Sequence, residues 1–259
     1  GGYGFIGSNF IGLLRRRQPG CRIVNLDKLT YASSVDNLGD VEEGDSYRFV
    51  LGDVVDTDLV NSVFEEERPD WVVHFAAETH VDRSILDPAR FLETNVLGTR
   101  VMLDSARAFA PQRFVYISID EVYGDSGRAG KIFTEDSPLM PSSPYSWSKA
   151  SADMLVQAYH RTDGLPLVFI RPCNNFGPCQ FPEKLIPVMI SKILRGETLP
   201  IYGDGRQIRD WLYVEGGARG ILSILDEGQD GAIYNIAAQQ SVENRDLVRH
   251  ICEIMAERM

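Results

Sequence analysis

The sequence predicts an α/β protein: a doubly wound parallel sheet with helices on both faces, followed by a smaller C-terminal lobe. Three observations carry this. Apolar strand-like runs alternate with amphipathic helical stretches through the first two thirds of the chain, the pattern of crossover connections in a parallel sheet. Some of those runs are almost continuously apolar, as in strands buried on both faces. A glycine-rich turn opens the first helical stretch, where such sheets receive phosphates.

The elements follow in order. Residues 5–17 read as a helix, and 22–26 and 47–50 as short strands. Residues 57–66 form a helix with Asp56 as its N-cap, because an Asp side chain accepts from the free amides of a first turn. Residues 71–75 are a nearly unbroken apolar strand. Residues 89–110 read as one long helix, 114–117 as the next strand, 145–161 as a second long helix and 167–170 as a further strand. After Arg171, prolines and glycines shorten the elements. The expected division is therefore a dinucleotide-binding unit over residues 1–171 and a substrate lobe over 172–259. A glycine turn of this kind is fed by a strand. The expectation is a Val/Ile-rich strand encoded before Gly1, the first strand missing here, and a lobe that continues past Met259.

With 259 residues the chain can bury a large core. Its net charge of −11 argues against a general nucleic-acid binder, which needs a basic surface. An anionic ligand must then be met locally, by helix N-termini and a few Arg and Lys. No stretch approaches the ~20 apolar residues of a membrane span, and the first residues do not read as a secretion signal. Cys21, Cys173, Cys179 and Cys252 lack close CxxC pairing. Reduced thiols and a cytoplasmic location are expected.

Gly1, Gly4 and Gly7 give G-x-x-G-x-x-G around Phe5 and Ile6. Such glycines let the backbone approach a pyrophosphate at a helix N-terminus. Asp27 follows 20 residues after Gly7, where an acid accepts from a ribose 2′-hydroxyl and repels a 2′-phosphate. NAD is thus expected over NADP. Asp53 and Val54 follow the next strand, at a plausible adenine contact. Phe75, Ala76 and Ala77 follow the one after, where small residues let a dinucleotide pass. Tyr145 and Lys149 share a helix face. An ammonium beside a tyrosine lowers its pKa, and a phenolate strips a hydroxyl proton as hydride leaves the same carbon. Asp120 and Glu121 end an apolar strand at the sheet's carboxyl edge. Two adjacent carboxyls repel one another and titrate as a pair, one protonated and one ionised.

With these motifs the chain resembles the extended short-chain dehydrogenase/reductase family, which has a Rossmann-like fold, and within it the nucleotide-sugar 4,6-dehydratases. The match runs from Gly1 to about Leu247. Its most discriminating stretches are Asp120-Glu121-Val122-Tyr123-Gly124 and Gln180-Phe181-Pro182-Glu183-Lys184-Leu185-Ile186-Pro187; the epimerases of the superfamily lack the acidic pair. The resemblance implies that Tyr145 takes the sugar 4-hydroxyl proton as C4 gives hydride to NAD, with Lys149 tuning Tyr145 and holding the nicotinamide ribose. Glu121 then removes the C5 proton, Asp120 protonates the departing 6-hydroxyl, and hydride returns to C6. The expected substrate is dTDP-glucose. Another nucleotide sugar such as UDP-glucose, or binding without catalysis, remains open.

The resemblance further implies cofactor contacts from Lys28, Leu29, Thr30, Thr94 and Asn175. It implies substrate contacts from Thr79, where the family usually has serine, and from Asn174, Lys184, Leu185, Pro200, Ile201, Tyr202, Arg209 and Asn244. Lys184 and Arg209 suit a diphosphate. A homodimer is implied through the helices over 89–110 and 145–161, with Trp147 either in the core or at that contact. His74, Glu78 and His80 do not have the spacing of a helical zinc motif, and no metal is expected. One position departs from the family. The threonine that precedes the acidic pair, which hydrogen-bonds the sugar 4-oxygen, is Ile119 here. An alkyl group makes no such bond, and Ser118 on a strand points to the other face. Ile119→Thr is expected to raise kcat roughly tenfold, the worth of about 1.4 kcal/mol in the transition state; steady-state kinetics on the two proteins checks it.

Overall fold

The structure, a computed structural model, describes residues 1–125, 132–201 and 203–258. Helix α1 (Phe5–Arg17) leads to strand β1 (Ile23–Asp27), which pairs in parallel with β2 (Tyr47–Leu51). Helix α2 (Thr57–Glu67) is capped as expected, with the Asp56 carboxylate accepting from Leu59 N at 3.1 Å. Strands β3 (Trp71–His74), β4 (Arg113–Ile117), β5 (Leu167–Pro172) and β8 (Ile233–Ile236) form a second parallel sheet in the order β3-β4-β5-β8. Strands β1 and β3 are not paired, and a cavity of about 830 Å³ lies between them.

The period of two is visible in the core. Val115, Ile117, Val168 and Ile170 face α1 and helix α8 (Val214–Glu227), while Phe114, Tyr116, Leu167 and Phe169 face α2 and the helices beyond it. All four residues 167–170 are buried, which is why that strand reads as a continuous apolar run.

One expectation needs correction. The helix expected over 89–110 is preceded by a separate short α3 (Val81–Leu86) and is not uniform. It runs as α4 (Pro88–Phe91), a π-helical segment (Leu92–Gly98) and α5 (Thr99–Phe109). Buried Asn95 in the widened segment explains the change. Its side chain is drawn out to accept from Glu78 N (2.8 Å) and to donate to Glu78 O (3.0 Å) and Ser148 Oγ (2.8 Å).

The chain after Arg171 divides between two layers. Strand β6 (Asn174–Phe176), helix α7 (Leu185–Leu194), strands β7 (Ile208–Tyr213) and β9 (Ser241–Glu243) and helix α9 (Asn244–Arg258) do form a separate small layer. Between β7 and β9, however, α8 and β8 return to the large sheet, β8 pairing with β5. The apolar face of α8 packs on α1, beside the large sheet.

Candidate active site

The glycine turn is dictated by contact. A Cβ on Gly1 would stand 2.5 Å from Ala76 N, and one on Gly7 would stand 2.4 Å from Gly1 O. Gly4 caps α1 without a side-chain partner, so the first amides of that helix stay available at the end of β1. Asp27 is 6% exposed. Its two oxygens accept from Tyr3 N (2.9 Å) and Leu29 N (2.8 Å), which pins the turn to the strand end. Each oxygen keeps a second lone pair for a hydroxyl. Lys28 Nζ bridges Thr94 Oγ1 (3.1 Å) and Asp53 (3.2 Å).

Helix α6 (Pro144–Asp163) carries Tyr145 and Lys149. Ser143 and Ser146 cap it reciprocally, Pro144 pre-sets its first turn, and Tyr145 N donates to Ser84 Oγ at 3.1 Å. A short 3₁₀ turn, Asp120–Tyr123, follows β4 and presents the two acids. A single cavity of about 310 Å³ is walled by the glycine turn, Asp27, Lys28, Thr30, Asp53, Val54, Phe75, Ala76, Ala77, Thr79, Thr94, Ile119, Asp120, Glu121, Tyr145, Lys149, Asn174, Asn175 and Lys184.

Burial, then the charges of Glu121 and Asp120, push the Tyr145 phenol up. Lys149 Nζ donates to Ile117 O at 2.6 Å and stands 4.4 Å from the Tyr116 ring centre. Burial lowers Lys149 to about 8, against the pull of Asp153. Asp120 is pushed up to about 7, first by burial and then by Glu121, with Arg209 opposing. Its surface is partly open to the cleft, but protein encloses the carboxyl closely enough to disfavour its charge. Lys184 donates to Thr79 O at 2.9 Å and is lowered by burial.

The structure does not bring every expected residue to the cavity wall. Leu29 stands beside it with a left-handed backbone. Leu185, Pro200, Ile201 and Asn244 lie beyond its edge in the small layer, and Arg209 reaches it through its charge on Asp120. Tyr202 lies outside the described residues. His74, 3% exposed, hydrogen-bonds Thr99 Oγ1 (3.1 Å), and burial lowers it to about 3. His80 caps α3 and faces Glu183.

Two groups escaped the sequence reading. Glu183 ties the loop before α7 to the other side of the cleft, accepting from Tyr31 OH (3.1 Å) and standing 3.6 Å from both His80 and Arg83. Buried Asp153 and Arg171 pair at 2.8 Å. A charge inside the apolar run of β5 and an acid four residues after Lys149 were the available signals.

Residues suited to a dinucleotide are present. Asn174 Oδ1 and Asn175 Oδ1 are buried without a hydrogen-bond partner at the wall, and a Cβ would block the backbone at Gly1 and Gly7. Residues 1–237 match the profile of the NAD dependent epimerase/dehydratase family. The chain is 46% identical over 264 residues to the dTDP-glucose 4,6-dehydratase of Xanthomonas campestris pv. campestris (strain B100), covering 98% of this chain and 74% of the relative. It is 47% identical over 266 residues to that of Neisseria meningitidis serogroup B, covering 99% and 75%. Among solved structures, the dTDP-glucose 4,6-dehydratase from Bacillus anthracis in complex with NAD superposes with a TM-score of 0.91 at 40% identity, over 99% of this chain and 79% of the other. The Streptomyces venezuelae enzyme with NAD and TYD bound gives 0.91 at 43%, over 99% and 80%.

The raised Asp120 carboxyl has a stability consequence. In the folded state it keeps its proton up to about pH 7, while an unfolded Asp loses it near pH 4. Between those values the folded state binds more protons, so its stability falls as pH rises. Asp120→Asn is expected to stabilise the protein at about pH 8 by on the order of 2 kcal/mol, allowing for solvent screening, and to do nothing at about pH 4. Denaturant unfolding at the two pH values checks this.

Proposed function

This chain belongs to the NAD dependent epimerase/dehydratase family, and from that premise we propose that it dehydrates dTDP-glucose to dTDP-4-keto-6-deoxyglucose. The observation that carries the reading is the sharing of one cavity wall by Tyr145, Lys149, Asp120 and Glu121. NAD, when bound, would supply the hydride acceptor for C4 and the donor for C6. Tyr145 takes the proton of the 4-hydroxyl. The ketone formed at C4 acidifies the C5 hydrogen, which Glu121 removes and gives back to C5 when hydride reaches C6. Asp120, protonated below about pH 7, gives its proton to the 6-hydroxyl, which leaves as water. Asp27, Lys28, Asp53, Thr94 and Asn175 hold the dinucleotide. Thr79, Asn174 and Lys184 hold the sugar and diphosphate, and Leu185, Pro200, Ile201, Arg209 and Asn244 meet the nucleotide from the small layer.

The family resemblance supports a cytoplasmic homodimer. Leu86 (84% exposed), Leu92 (40%), Trp147 (47%) and Met154 (58%) are apolar side chains on or beside the two helical tracts named for that contact. Among the described residues no helix is long and apolar enough to cross a membrane.

Incubation of the full-length protein with dTDP-glucose, followed by alkaline absorbance of the 4-keto product, tests the activity. Product from UDP-glucose alone would assign a different base, and binding without product would assign a silent binder. Tyr145→Phe and Glu121→Gln are each expected to lower kcat about 100-fold or more. Trp147→Glu is expected to convert a dimer to a monomer in sedimentation equilibrium.

A further inference from the structure

Beneath the cleft runs a chain of buried polar contacts that no step of the proposed reaction uses. Asp153 is fully buried one helical turn after Lys149 on α6. Its Oδ2 accepts from Arg171 Nε at 2.8 Å. Arg171, on β5 and 2% exposed, donates through Nη1 to the Tyr123 hydroxyl at 2.8 Å, and its guanidinium stands 4.9 Å from the Tyr123 ring centre. The Tyr123 hydroxyl donates to Asn235 Oδ1 on β8 at 2.8 Å. Tyr123 is the last residue of the turn that begins with Asp120 and Glu121. One continuous path thus joins the lysine helix, β5, the acid turn and β8.

Two physical facts give this path a function. A buried ion pair is weak evidence of stability, because apolar residues of similar volume serve as well; its directional bonds instead select one arrangement. A buried ammonium also needs a counter-charge. The titratable and charged groups around Lys149 are Tyr145 and Asp153 on its own helix, Tyr116 on β4, His74 on β3 and, behind Asp153, Arg171 on β5. Glu121 and Asp120 of the acid turn act on Tyr145. Of these, Asp153, one turn along the same helix, is the group whose charge favours the ammonium; burial pushes its own carboxyl up, and the Arg171 guanidinium at 2.8 Å opposes that.

We propose that Asp153, locked by Arg171, is a positioning residue: it is the counter-charge of Lys149, and through Arg171 and Tyr123 it fixes the acid turn against that lysine. The roles of Lys149 and the acids rest on the function proposed above. The ammonium half extends to any reaction in which Lys149 holds the nicotinamide ribose.

Two conservative variants of the full-length protein test it. Asp153→Asn keeps volume and hydrogen bonds but removes the charge, and Tyr123→Phe removes one hydroxyl. In Asp153→Asn, the alkaline loss of NAD affinity, followed by calorimetry against pH, is expected about one pH unit lower than in the wild type, with Asp153→Glu restoring part of the difference. In Tyr123→Phe that profile is unchanged. Its kcat on dTDP-glucose is expected to fall roughly tenfold at constant KM, with reduced nicotinamide accumulating during turnover because elimination lags oxidation. A wild-type pH profile in Asp153→Asn, with only a lower melting midpoint, overturns the counter-charge role. Wild-type kcat in Tyr123→Phe overturns the link to the turn. Failure of the wild type to dehydrate dTDP-glucose overturns the proposed substrate instead, and the pH profile of NAD binding still decides the role of Asp153.

Discussion

The bond from Lys149 Nζ to the carbonyl of Ile117 fastens helix α6 to the last residue of β4. Three residues further on stands Asp120. The strand end therefore fixes the lysine, the tyrosine one turn before it and the acid pair in a single frame. That frame is rigid because β4 and β5 pair in parallel register from Phe114 to Ile117 and are buried on both faces. Charged groups set at the carboxyl edge of such a sheet move little relative to one another, which is what a sequence of proton transfers demands.

The same enclosure sets the charge states. Protein encloses Asp120 and Lys149 at the cleft wall, so the charge of each costs free energy unless paired. Asp120 is pushed up to about 7 and Lys149 down to about 8. Near neutral pH the carboxyl still holds a proton in part of the population and the lysine still holds its charge. A protein of net charge −11 gathers its cationic contacts for an anionic ligand at a few points, Lys28 and Lys184 at the wall and Arg209 beyond it.

The glycine turn, Asp27, the buried strands and the Tyr145–Lys149 face were legible in the sequence, because each rests on local spacing and on one or two residue types. The π-helical segment was not. It depends on Asn95 reaching the backbone of Glu78, a contact across 17 positions of chain. The orientation of Lys149 was not legible either. Residue spacing put it on the face of Tyr145, but the carbonyl it meets belongs to strand β4, 32 positions away in the chain. Arg171 was hidden for a related reason. Within an apolar strand its charge looks anomalous until its partner on α6 is known. The return of β8 was obscured by the proline-rich stretch after Arg171, which reads as one change of domain.

That return has a consequence for how specificity could be remodelled. The chain passes between the large sheet and the small layer three times: after Pro172, at Tyr213–Val214, and between Ile236 and Ser241. A body tethered at three points has no single pivot and cannot be lifted out as one cassette. Grafting the nucleotide-facing half of a relative onto this scaffold would mean exchanging two tracts, roughly 174–213 and 241 onward, while leaving the intervening helix and strand in place. Recombination with a single crossover would split the central core instead.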